Sequence, residues 1–225
     1  MIFLIYSNKK SNGTYIGVHK YYNDKSFKWS FDEILVIENL KFQVISILTN
    51  PEIPEKHFTI GNTIFFKSND EYSLTKTFKI AHNNNDSLVL KNTLETKLFR
   101  KLPDSLKSKN NDKIDLKNKL FELKTDSFID TLFFKNDFYL RKSNQPDRKW
   151  ESPFWELKEV NEFKFLFTGD FSTLFVIVKN KNNYFLYKVL KDRIIKFELN
   201  EIIGDLTEIN KIIKRVELMK EKNVW

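Results

Sequence analysis

Short runs of alternating apolar and polar residues, punctuated by clusters of Asn, Asp and Ser, constrain this 225-residue chain more than any other feature. Alternation of period two is the signature of strands with one buried face, and Asn/Asp clusters mark the reversals between them. The clearest case is Thr77-Phe78-Lys79-Ile80, followed by His82-Asn83-Asn84-Asn85-Asp86 and then Ser87-Leu88-Val89-Leu90. Asn and Asp tolerate left-handed backbone and bond their own turns, so this segment predicts a hairpin. A second hairpin is predicted at Leu174–Val178, Lys179-Asn180-Lys181-Asn182-Asn183 and Tyr184–Tyr187. The apolar residues are of the kind that suits a pleated surface: 22 Phe and 8 Tyr stand against 5 Gly and 5 Pro.

The two hairpins align without a gap at an offset of 97 residues, and Trp29-Ser30-Phe31 with Leu35 falls at the same offset on Asp126-Ser127-Phe128 with Leu132. This pattern predicts an internal duplication. Residues 1–102 form a first β module and 113–198 a second. Between them the polar, Pro-containing stretch Leu102-Pro103 to Asp112 reads as a linker, 103–112. In the tail, 199–225, Ile202, Leu206, Ile209, Ile213, Val216 and Met219 recur at spacings of three and four. They predict an amphipathic helix that packs on the β core or plugs a barrel mouth.

The strand rhythm resembles that of small lipocalin-like β-barrel domains. The resemblance is carried by His57–Phe66 with its Gly61-Asn62-Thr63-Ile64, by the hairpin Phe78–Leu90 and by Leu98-Phe99-Arg100-Lys101-Leu102. Gly13-Thr14-Tyr15 stands as an opening strand and Trp29-Ser30-Phe31-Asp32 as a second. The later half repeats the plan with Leu120-Phe121-Glu122-Leu123-Lys124 and Trp155-Glu156-Leu157. The resemblance implies a mainly β fold of two antiparallel, barrel-like modules followed by a C-terminal amphipathic α-helix. It carries over no catalytic residue. Closure into a barrel removes the exposed strand edges that so Phe-rich a chain would otherwise present, and a small barrel is either filled by its side chains or holds one apolar ligand.

The chain has no cysteine, which excludes disulfides, thiolate catalysis and Cys-based zinc sites. No segment approaches the length of an apolar membrane span, and the expected location is cytoplasmic. A net charge of +8 permits attraction to nucleic acid, but the basic residues are interspersed with acids in the manner of a solvated surface.

One pattern points to metal-dependent chemistry. Asp115 and Glu122, followed by Leu123-Lys124-Thr125, resemble the core motif of the mismatch-repair nicking endonuclease MutH and its restriction-enzyme relatives, with Trp150-Glu151-Ser152 and Lys158 as the later motif and Glu95 as the upstream carboxylate. That resemblance implies magnesium held by Asp115 and Glu122, with Lys124 and Lys158 assisting. A second version, Asp147 with Glu156-Leu157-Lys158, draws on residues that the first uses otherwise. Acid-x-Lys triplets start at Glu95, Asp115, Glu122, Asp147, Glu156 and Glu162, so composition alone generates the motif, and only its structural context would give it meaning. Tyr15-Ile16-Gly17 lacks the arginine that GIY-YIG nucleases need soon afterwards. His19, His57 and His82 share no metal-ligand spacing, and the five glycines form no phosphate-cradling loop. Arg148, Lys149, Trp150 and Trp155 make an aromatic-basic patch, a candidate binding surface.

The expectation that follows is a non-enzymatic binding or interaction protein, of inhibitor or immunity type, without a cofactor. Its partner would be another protein or a small apolar ligand. The alternative is the magnesium-dependent endonuclease.

Overall fold

A computed structural model describes residues 12–24, 28–29, 33–38, 41–46, 56–60, 63–67, 76–108, 113–125, 129–136, 138–143, 154–169, 173–181 and 183–221. They form two antiparallel sheets and one helix. The first sheet comprises β1 (Gly13–Tyr22), β2 (Lys28–Trp29), β3 (Glu33–Glu38), β4 (Lys41–Ser46), β5 (Lys56–Ile60), β6 (Thr63–Lys67), β7 (Lys76–Asn83), β8 (Ser87–Lys91) and β9 (Glu95–Lys101). The second comprises β10 (Leu120–Lys124), β11 (Ile129–Phe134), β12 (Tyr139–Ser143), β13 (Trp155–Val160), β14 (Phe163–Thr168), β15 (Thr173–Asn180), β16 (Asn183–Val189) and β17 (Ile194–Ile202). Helix α1 is Thr207–Glu221. By backbone proximity the chain divides into two compact units, Met1–Leu106 with Val189–Ile194 and Lys107–Lys188 with Ile195–Trp225.

The two sheets are wired alike. The orders are β4-β3-β1-β9-β8-β7-β6-β5, with the short β2 beside β1, and β12-β11-β10-β17-β16-β15-β14-β13. In each, the first long strand lies between the second and the last, so a meander curls until its ends pair. Each curled sheet is thus a half-barrel with a seam, β4/β5 in one and β12/β13 in the other. The second seam carries an isolated antiparallel bridge, Phe138↔Phe154. Around that bridge Gly169 N–H donates to the Phe154 carbonyl at 2.9 Å, and Trp155 Nε1 donates to the Lys135 carbonyl at 2.7 Å.

Cross-strand register sets the interiors. In the first module Tyr15 lies opposite Leu35 and Ile37 opposite Phe42; in the second Phe121 lies opposite Leu132 and Phe134 opposite Tyr139. All eight are buried core residues. The two sheets thus share strand order, and Leu35, Ile37 and Phe42 of the first core stand 97 residues before Leu132, Phe134 and Tyr139 of the second. The second interior is the more aromatic: Phe134 stacks on Tyr139 at 5.4 Å and meets Trp155 edge-on at 5.0 Å. Leu116, just before β10, joins this core, and the Tyr184 hydroxyl donates to the Asp115 carbonyl at 3.3 Å.

Period two places Leu120, Phe133 and Leu140 on the outer face, one row across β10, β11 and β12. Ile209, Ile213 and Val216 of α1 cover that row. The helix thus lies against the outside of the second sheet. Its apolar stripe begins in a strand: Ile202 ends β17, so the tail expected to be helical from 199 is extended to 202 and turns at Gly204, where a Cβ would stand 2.6 Å from Leu120 Cδ2. The expected linker is not featureless either. Asp104–Leu106 is a short 3-10 helix, and Leu102 and Leu106 are buried. Lys109–Asp112 lie outside the described residues.

Candidate functional site

Alternation also dictates which charges enter the barrels. Leu35 and Ile37 point into the first interior, so Glu33, on the same face of β3, points there too. Phe99 brings Lys97 and Glu95 to the same side of β9. On β1 a register shift between Gly17 and His19 changes the parity and sets Lys20 opposite Lys97. The four side chains meet. Lys97 Nζ donates to both oxygens of Glu33, at 2.6 and 2.9 Å, and lies 3.9 Å from Glu95, while Lys20 reaches Glu95 at 2.7 Å. Each is four-fifths or more buried. Lys97 Nζ also stands 5.4 Å from the centre of the Phe78 ring. Beside the cluster Asn23 accepts from Thr96 Oγ1 at 2.8 Å and donates to the Asn92 carbonyl at 2.7 Å, tying the end of β1 to the β8–β9 turn.

The second module has a counterpart at the same end. Asp130 is on the face of β11 that carries Leu132 and Phe134, and Arg141 on the face of β12 that carries Tyr139. Arg141 Nε and Nη2 both donate to Asp130 Oδ2, at 2.7 and 2.6 Å. Asp130 Oδ1 is buried and has no hydrogen-bond partner among the described residues. Both modules therefore hold charge in their interiors near the start of the second long strand. Burying an ion pair gains little over an apolar pair of the same volume, because desolvation offsets the attraction. These groups stand out as site candidates for that reason.

Their chemistry is limited by their mutual neutralisation. In the first module two carboxylates face two ammonium groups. In the second one carboxylate faces one guanidinium. Among the described residues no three of His, Cys, Asp and Glu come together in a way that could hold a metal ion. Tyr15, in the first core, has its phenol pushed up to about 12 by burial.

The residues singled out in the sequence are dispersed. Asp115 is exposed and ion-pairs with Lys119 at 3.8 Å, which also meets Glu201 at 3.1 Å and is thereby held above the usual lysine range. Glu122 and Lys124 lie on β10, on the face opposite Phe121 and Leu123. Glu122 is flanked by Thr131 and Asn200, and Lys124 by Ile129 and Glu198. Lys158 is on β13, opposite Phe165 of β14, at the far end of the strand order from β12. Glu95 alone enters a buried charged cluster. It sits in a strand, with lysines as neighbours. Arg148, Lys149, Trp150, Asp147 and Glu151 lie outside the described residues. Trp155 is 7% exposed and packs in the second core, its indole N–H on the Lys135 carbonyl.

Glu33, Lys97, Lys20, Asp130 and Arg141 are the residues that reading by motif passes over. For Asp130 a signal existed: Ile129-Asp130-Thr131-Leu132-Phe133-Phe134 is a strand in which an acid shares parity with Leu132 and Phe134. Neither a family model nor any curated protein matches the chain.

Proposed function

We propose that the chain is a non-enzymatic binding protein in which two tandem lipocalin-like barrels serve as scaffolds for recognition of another protein. One observation carries the reading: both interiors are occupied by the chain's own side chains, apolar groups along their length and mutually neutralised charges at one end. A barrel filled in this way offers little room for an apolar ligand, which leaves the outer faces and turns for recognition. The net charge of +8 favours an acidic partner surface. Nothing brings Asp115, Glu122, Lys124 and Lys158 together, so the endonuclease alternative gains no support from their placement.

The test is to cross-link and co-purify the partner from the source cell, then rebuild the complex from two pure proteins by calorimetry. A defined stoichiometry, with affinity that weakens as salt rises, is expected. Stoichiometric uptake of an apolar fluorescent probe would instead indicate a ligand carrier. Magnesium-dependent DNA cleavage lost in Glu122→Ala would replace the reading with an enzyme.

A further inference from the structure

We propose that Asp130 Oδ1 is a binding position, enclosed in the second barrel, for an uncharged hydrogen-bond donor of the hydroxyl class. The inference comes from comparing the two modules position by position. Tyr15 pairs with Leu35 and Lys101, and Phe121 pairs with Leu132 and Glu201, which fixes the equivalences. Glu33 and Asp130 each stand two residues before the aligned leucine, so an interior acid occupies the same place in both.

The counter-ion does not. In the first module it is Lys97 on β9, whose ammonium donates to both oxygens of Glu33. The equivalent residue of β17 is Phe197. It packs edge-on against Phe175 at 6.1 Å, as Lys97 lies over the corresponding Phe78. The charge comes instead from Arg141, in the place of Val44, since Leu35 lies opposite Val44 and Leu132 opposite Arg141. From β12 the guanidinium meets Asp130 through Nε and Nη2, and both of these contacts with the carboxylate fall on Oδ2. Among the described residues the donor that Lys97 supplies to the second oxygen in the first module has no counterpart, and Oδ1 is left unpartnered.

An acceptor withdrawn from water without a donor is costly, so the position calls for one. Charge decides its kind. Arg141 already neutralises Asp130, and a cation would bring an uncompensated charge into a weakly polarisable interior, whereas a hydroxyl restores the bond without adding charge. The site lies close to solvent: the Asp130 side chain is 1% exposed, but that of Arg141 is 12% exposed. Two sources share this chemistry, an internal water molecule and the hydroxyl of a small bound molecule.

The experiment uses the full chain as purified. Magnetisation transfer from water to the amides of Ile129–Thr131 detects a long-lived internal water, and native mass spectrometry detects a bound molecule. One of the two signals is expected in the wild type. It should vanish in Asp130→Leu/Arg141→Met, a pairwise apolar replacement of the kind that folded proteins tolerate. Phe197→Lys, which restores the ammonium of the first module, should displace the donor as well. Absence of both signals from the wild type, or a signal that persists in the folded double variant, would overturn the proposal.

Discussion

Arg141 and Tyr15 show what burial does to single side chains. Replacing Arg141 alone by Met leaves Asp130 as an uncompensated buried charge and should cost about 3–5 kcal/mol, read from urea unfolding. Tyr15 is fully enclosed, and its phenol is raised from 10.0 to about 12. Below pH 10 folded and unfolded chains both keep the proton, so stability is undiminished. Between pH 10 and 12 the unfolded chain releases it first and stability falls, by about 3 kcal/mol in all. Tyr15→Phe should remove that part of the alkaline slope. Gly13 has φ +146°, and a Cβ there would stand 2.5 Å from Lys101 Cε, so Gly13→Ala should destabilise by more than about 1 kcal/mol. At this scale the apolar interior was legible and, Asp130 apart, the charged interior was not. Tyr15, Phe78 and Phe121 announce themselves by alternation. Glu33 and Lys97 look like ordinary surface charges until the register shows that they share a face with Leu35 and Phe99. Lys20 is hidden further by the register shift after Gly17, which no count of period two anticipates.

Among the elements, the strands were the most readable and α1 the most instructive. The hairpin turn at Asn84 is held as its composition suggests: Asn84 Oδ1 accepts from Asp86 N–H at 2.9 Å and Ser87 N–H at 2.7 Å. The helix stripe was visible from Leu206 onward, but the spacing of Ile202 mimicked a helical position while belonging to β17, because both faces of that corner feed one apolar cluster. Ile213→Ala should cost about 3 kcal/mol by leaving a cavity over Phe133 and Leu140. The helix entrance depends on Asp205, whose carboxyl is held below the usual range by hydrogen bonds from the Thr207 side chain and from Thr207 N–H, the latter to Oδ1 at 2.8 Å. With the folded value lowered, the stabilisation is present above the ordinary pKa of 3.8 and is lost as pH falls through the lower folded value. Amide exchange in the first turn of α1 should therefore accelerate selectively in acid, and Asp205→Ala should accelerate it at neutral pH.

For the whole molecule, the likeness of the two sheets was readable from two hairpins and a leucine, whereas the wiring was not. Pairing of a module's first long strand with its last joins residues far apart in sequence, and no local pattern of apolar residues encodes that choice. Tyr15 meets Lys101, and Leu120 meets Ile202. Such non-local closure predicts refolding on the millisecond-to-second scale, measurable by stopped-flow fluorescence of the tryptophans. It also imposes a schedule on synthesis. One edge of β1 must wait until β9 has left the ribosome, and at about 5–20 residues per second that is on the order of ten seconds. During that interval a strand with three Tyr among its ten residues is half unpaired in a crowded cell, so the nascent chain, more than the finished fold, is where this protein most needs a chaperone.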